Sequence, residues 1–196
     1  YISLGALNDT VKAVKVDGAE ATVDNVKAGA YKLSRPFNIA TKGEPTGVAK
    51  DFISFILSKE GQAVVTDNKY IAVNDAAESF VSDGSSGQIA VGGSSSVSPV
   101  MEKLIEAYKS VNPNASIDLQ TSDSTSGMTG AMDGTFAIGM ASRELKDEEA
   151  AQLTGTAIAL DGIAVIVNPA NTIDELSMDQ IKSIYVGDIT DWGDLA

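Results

Sequence analysis

Cysteine and histidine are both absent from the 196 residues. Their absence removes thiol nucleophiles, disulfides, the usual zinc ligand sets and every catalytic triad built on an imidazole base. It does not assign a compartment. Basic side chains are few: 14 Lys and Arg stand against 27 Asp and Glu, a net charge of −13. Phosphate backbones need a basic surface, so this balance argues against a nucleic-acid partner. A small anion is not excluded in the same way, because helix dipoles and hydrogen bonds can hold it locally. Aromatics make up only 6% while apolar residues reach 43%, so the core must rest on Ala, Val, Ile and Leu. Long apolar runs are also missing. The longest, Ile163-Ala-Val-Ile-Val167, has the length of a strand, not of a membrane span. What is present suffices for one or two domains with a real core. The sequence opens at Tyr1 with neither Met nor a leader, and reads as a processed or trimmed piece of something longer.

Three regions follow one another. In Tyr1 to Val73, short strands are expected at Tyr1–Leu4 and Val11–Val16, the second closing on the Asp17-Gly18 turn. Thr22 to Lys27 reads as a short capped helix. Pro36 disfavours helix at Arg35, so Tyr31 to Ile39 is extended. Val48 to Leu57 is amphipathic, with Val48, Phe52, Phe55 and Ile56 on one face. Ser58 then marks a break or a new helix start. Asn74 to Gly87 holds Asp, Glu, Ser and Gly and ends in Asp83-Gly-Ser-Ser-Gly87. A surface loop inside one domain and a true junction both fit; the junction is preferred, because a new βα unit starts directly after it. From Gln88 to Ala196 strands and helices alternate. Strands are expected at 89–91, 116–120, 136–140 and 156–167, and helices at 99–111, 128–132 and 147–153. Residues 121–127 read as a polar turn. This βαβαβ order implies an α/β fold with a mostly parallel sheet flanked by helices and right-handed crossovers.

Chemistry concentrates at the strand ends. In Val91-Gly-Gly-Ser-Ser-Ser-Val-Ser-Pro-Val100 a strand ends, glycines turn the chain and a helix begins. Such a helix start offers free N–H groups and a positive dipole end, and the hydroxyls of Ser94, Ser95 and Ser96 add donors that can rotate to suit an oxyanion. Plain N-capping is the alternative, but one Ser would do for that. Gln120-Thr-Ser-Asp-Ser-Thr-Ser-Gly127 repeats the logic with Ser124 and Thr125. In a parallel sheet both turns lie at the carboxyl ends of strands, where open α/β sheets bind ligands. Ile138-Gly-Met-Ala-Ser-Arg-Glu-Leu145 supplies a third strand end. Ser142 there can donate to the same point. Arg143 can bind the anion or pair with Glu144, Asp147 or Glu148, and the ion pair is preferred.

At these three segments the chain resembles the periplasmic phosphate-binding proteins of ABC importers. The matching stretches are Gly92 to Pro99, Gln120 with Ser124 and Gly127, and Asp133 to Leu145; Gly187-Asp-Ile-Thr-Asp-Trp192 also looks like a family segment. The resemblance implies a periplasmic-binding-protein-like lobe with its second lobe incomplete. It implies that Ser95 and Ser96 form the first phosphate-contacting loop and Ser124 the second. Ser142 falls where some members carry an Asp that accepts a hydrogen bond from protonated phosphate. Ser can donate or accept, so that route to rejecting sulfate is in doubt here. Ser94, Thr125 and Arg143 are further candidates.

Residues 1–73 resemble the C-terminal half of the same family, through Tyr1-Ile-Ser-Leu-Gly5, Tyr31-Lys-Leu-Ser-Arg-Pro36 and Phe52 to Gln62. Residues 88–196 resemble its N-terminal half, with 74–87 as linker. The family's end therefore precedes its beginning, as in a fragment spanning two tandem copies or in a circular permutant; the tandem fragment is preferred. The family's Ser-Gly-Thr-Arg-type loop is absent from the sequence. The resemblance implies an extracytoplasmic, non-enzymatic protein that binds inorganic phosphate for a membrane permease, with no cofactor and no metal. It further implies an exported parent protein, with a lipid anchor as one form of attachment. An enzyme reading would need a Ser–Lys pair such as one using Lys103. An adhesion or signalling module that kept the fold and lost the ligand is the main alternative. Residues 31–73 with 88–167 are expected to form one lobe. The two chain ends are expected to pack on each other or to self-associate, because Ile2, Leu4, Ile184 and Trp192 would otherwise be bare.

Overall fold

The structure, a computed structural model, describes residues 1–195. The chain first lays down β1 (Ile2–Ser3), β2 (Lys12–Ala13), β3 (Lys15–Val16) and α1 (Val23–Lys27). Next come β4 (Ser34–Thr41), α2 (Gly47–Leu57), α3 (Lys59–Asp67) and β5 (Ile71–Ala72). The βα alternation follows as β6 (Gly87–Ser94), α4 (Ser98–Val111), β7 (Ala115–Ser122), α5 (Ser124–Asp133), β8 (Ile138–Ala141), α6 (Asp147–Ala150) and β9 (Thr154–Ala164). The chain closes with β10 (Ile166–Val167), β11 (Glu175–Leu176) and α7 (Met178–Val186). Two units result: residues 35–160, and residues 1–34 together with the segment from Asp161 onward.

The larger unit is close to the lobe expected from 31–73 and 88–167. Its strands run in the order β9-β4-β8-β6-β7, with β5 on β9. Pairing is parallel across β7-β6-β8 and antiparallel for β4 on β8 and β5 on β9. The sheet is therefore mixed, with a parallel part carrying the strand ends of interest. Alternation along the strands sorts two cores. Phe37, Ile39, Ile138 and Met140 join Phe52, Phe55 and Leu104 beneath α2, α3 and α4. Ala40 and Ala141 point the other way and meet Met128 and Ala131 of α5. The face predicted for α2 is the buried one. Ser58 ends α2 and caps α3, its hydroxyl accepting from Gly61 N at 3.2 Å. Gly61 has to be glycine, since a Cβ there would run into the carbonyls of Phe55 and Ile56.

Residues 73–86 have no regular structure, yet they are tied down within the larger unit. Asp51, 3% exposed, accepts from Ser82 Oγ (2.8 Å) and Asp83 N (2.9 Å), and also from Tyr108 Oη (2.6 Å) and Asn112 Nδ2 (3.1 Å). Phe80 stacks edge-on against Phe55, ring centroids 5.3 Å apart. Glu60 takes the Phe80 N–H at 2.7 Å.

The smaller unit joins the two chain ends, one of the two outcomes expected for them. β1 pairs antiparallel with the end of β9, β2 antiparallel with β10, and β3 parallel with β11. The single strand expected over Val11–Val16 is split at Val14, because β2 and β3 find different partners. The one expected over 156–167 likewise breaks after Ala164. Ser3 Oγ donates to Asp161, and Tyr31 Oη to Ile163 O at 2.8 Å. Ile2, Leu4 and Ile184 are half-buried, while Trp192 is 50% exposed.

Candidate oxyanion site

The three parallel strands β6, β7 and β8 end side by side at Ser94, Ser122 and Ala141. Glycines let α5 come down onto these ends. Gly93 has φ 137°, and a Cβ there would collide with Met140 O. A Cβ on Gly127 would lie 2.7 Å from the Gly93 Cα. Any side chain at either position would push α5 off the sheet.

This close approach brings three of the predicted residues together. Ser94 Oγ donates to Ser142 Oγ at 3.0 Å, and Ser142 N donates to Ser124 Oγ at 3.1 Å. Ser94 is 3% exposed; Ser124 and Ser142 are half-buried. Ser95 donates its N–H to Ser122 O at 2.9 Å and is itself exposed; Ser96 is half-buried. Both lie before the helix rather than at its start. α4 begins at Ser98 with Val97 as its N-cap, and Val97 N bonds back to Ser94 O at 3.0 Å. Pro99 sits in the first turn as expected. Ser98, a residue not singled out by the sequence, meets Thr121 Oγ1 at 2.8 Å.

The polar turn expected over 121–127 is shorter than that. β7 runs to Ser122 and α5 starts at Ser124, three residues before Gly127. The cause is Asp123, whose carboxylate accepts from Thr125 N (2.8 Å) and Ser126 N (3.0 Å). This is N-capping by the helix's own acid. The Ser126 hydroxyl, at 2.7 Å, and these N–H groups hold the Asp123 carboxyl below the usual range. The cap does not use the Ser124 N–H, which stays in the first turn beside the serine cluster.

Arg143 forms the ion pair preferred for it, but with Glu149 instead of Glu144, Asp147 or Glu148. Its guanidinium spans both carboxylate oxygens at 2.7 and 2.8 Å. Glu149 is 2% exposed and also accepts from Lys146 N at 2.8 Å, whereas Asp147 and Glu148 face solvent. The bidentate bond raises the Arg143 pKa and holds Glu149 ionised below the usual carboxylate range. Thr125 Oγ1 accepts from Arg143 Nη2 at 3.4 Å. The main chain after Ser142 is gripped from β4, where Asn38 Nδ2 donates to Arg143 O at 2.9 Å. Asn38 and Glu149 escape a reading of the sequence. Asn38 leaves a trace there, as a lone amide in the apolar run Phe37-Asn-Ile-Ala40.

A mixed sheet whose parallel strand ends carry hydroxyls and a helix start is the architecture of a solute-binding lobe. Residues 79–196 match the model of the PBP superfamily domain. Over its full length the chain is 52% identical, across 198 aligned residues, to "Phosphate-binding protein PstS 2" of Streptococcus agalactiae serotype V. It spans 67% of that protein. A crystal structure of a phosphate ABC transporter, phosphate-binding protein from Streptococcus pneumoniae superposes with a TM-score of 0.90 at 47% identity, covering all of this chain and 76% of that one. A putative phosphate ABC transporter substrate-binding protein with bound phosphate from Clostridium perfringens matches 56% of this chain and 45% of its own, with TM-score 0.52 and 44% identity. The chain belongs to the phosphate-binding protein (PstS) family of the PBP superfamily. The match to the Streptococcus agalactiae protein runs through residues 74–87, so that protein shares the order of segments seen here.

Proposed function

We propose that this chain binds inorganic phosphate as the extracytoplasmic solute-binding part of an ABC importer, and hands it to a membrane permease. The observation that carries this reading is the Ser94–Ser142–Ser124 chain, in which hydroxyls and N–H groups from three strand ends meet at one corner. Ser95, Ser96 and the Ser124 N–H complete the set of donors. Thr125 and Arg143 stand behind it. With Arg143 already neutralised by Glu149, the site holds its anion by hydrogen bonds and not by net positive charge, which suits a chain of net charge −13. The residues support binding over catalysis. Lys103, the one base considered for a serine, pairs with Glu106 at 3.0 Å. Residues 1–73 and 88–196 are assigned to the end and the beginning of the family's domain. Exposed Tyr1, Tyr185 and Trp192 on the smaller unit give self-association a surface.

Calorimetry with phosphate up to millimolar concentration tests the site. Ser124→Ala removes one hydrogen bond to a charged ligand, worth about 1.5–3 kcal/mol, and affinity should fall about 10- to 100-fold. A melting temperature that ignores phosphate would reject the reading in favour of a ligand-free adhesion or signalling module.

A further inference from the structure

We propose that Asn38 is a positioning residue for the oxyanion site, a role that rests on the phosphate reading above. Asn38 lies on β4, in a segment far in sequence from every serine of the site. Its register places it opposite Ala141, the residue before Ser142. Its side chain is buried and donates to Arg143 O at 2.9 Å, with Glu144 Oε2 at 3.5 Å. On the other side of the same three residues, the Arg143 guanidinium is anchored on Glu149. Residues 142–144 are thus held from two directions, from the sheet by Asn38 and from α6 by Glu149.

What this grip restrains is the course of the chain directly after Ser142. The Ser142 N–H must stay aimed at Ser124 Oγ, and its hydroxyl oxygen must stay placed to accept from Ser94 Oγ, for the three groups to share a corner. An Arg143 carbonyl that has lost its donor frees the 143–144 peptide, and the backbone at Ser142, two peptides upstream, loses part of its restraint. A binding site loses affinity when its donors must be ordered by the ligand instead of by the protein. The hydrogen bonds of Asn38 go to Arg143 O and Glu144, so its effect on the serines is indirect.

The test uses the whole chain with Asn38→Ala and Asn38→Asp, read by phosphate calorimetry and by hydrogen exchange of individual amides. Asn38→Ala removes one neutral hydrogen bond, and phosphate affinity should weaken about 2- to 10-fold. Asn38→Asp should weaken it more, because it sets a carboxylate against the Arg143 carbonyl and the Glu144 carboxylate. In both variants the Ser142 amide should exchange faster while amides in the middle of α4 keep their protection, which a general loss of stability would not produce. Unchanged Ser142 exchange overturns the proposal, whether or not the parent binds phosphate. Faster Ser142 exchange with unaltered phosphate affinity also overturns it. If the parent ignores phosphate, the functional reading fails, and the Ser142 amide alone decides whether Asn38 positions that residue.

Discussion

Replacing Asp51 with Asn isolates the polar network that ties residues 73–86 to the helices. One oxygen of Asp51 serves Tyr108 Oη, Asn112 Nδ2 and Ser82 Oγ, and the other serves Asp83 N. An Asn side chain keeps the shape but turns one oxygen into a donor. If that group takes the outer position it confronts the Asp83 N–H; the remaining oxygen keeps three donors without its charge. Losing one hydrogen bond to a buried charge costs about 1.5–3 kcal/mol, and weakening the others brings the total to about 3 kcal/mol. For a chain of this size that is roughly 6–12 °C in melting temperature. Burial alone would raise the pKa of Asp51, but its hydrogen bonds outweigh burial and lower it. A carboxyl with a depressed folded pKa stabilises fully above its unfolded pKa of about 4, and that stability fades as pH falls through the lower folded value. The gap between parent and Asp51→Asn should therefore be widest near neutral pH and narrow below about pH 4. Circular dichroism melts at pH 7 and pH 3 measure it. A variant that melts with the parent at pH 7, or a gap of the same size at both pH values, would refute the argument.

Two further substitutions probe other levels of the structure. Gly93→Ala puts a Cβ into Met140 O at a backbone φ of 137°, so it should cost at least about 2 kcal/mol and weaken phosphate binding with it; urea melts and calorimetry on one sample read both. Tyr31→Phe removes the buried hydroxyl bond to Ile163 O and should cost about 1–2 kcal/mol in urea, with phosphate affinity unchanged if the site lies wholly in the larger unit.

The legible parts of the sequence were those set by neighbours within a few residues. Periodicity found the buried face of α2, and Ser58 and Pro99 marked helix starts through their own backbone chemistry. The repeated pattern of strand, hydroxyl-rich turn and helix located Ser94, Ser124 and Ser142, which the structure brings together. α5 starts earlier than its apolar pattern suggests, because Asp123 acts as a cap, which a polar, hydroxyl-rich stretch hides. Long-range partners left little mark. Asn38 bonds a carbonyl 105 residues away, and Asp51 bonds Asn112 61 residues away. A pattern of period two identifies a strand but not its neighbours, so the antiparallel place of β4 beside β8 could not be read from Tyr31 to Ile39. The acid chosen by Arg143 was hidden for a related reason. Which of several nearby carboxylates is buried depends on how α6 turns, not on their spacing.

The place of β4 also governs the order of events as the chain is made. Residues 34–41 are synthesised first, yet they sit between β8 and β9, whose residues follow about a hundred positions later. At usual rates of translation that delay is about 5–25 s. Through it, the apolar run around Phe37 and Ile39 has neither neighbour to pair with, and the sheet has no centre. A chain with this order of segments cannot close its sheet early. The cost is an apolar segment, with Phe37 and Ile39 at its centre, left without strand partners through that interval.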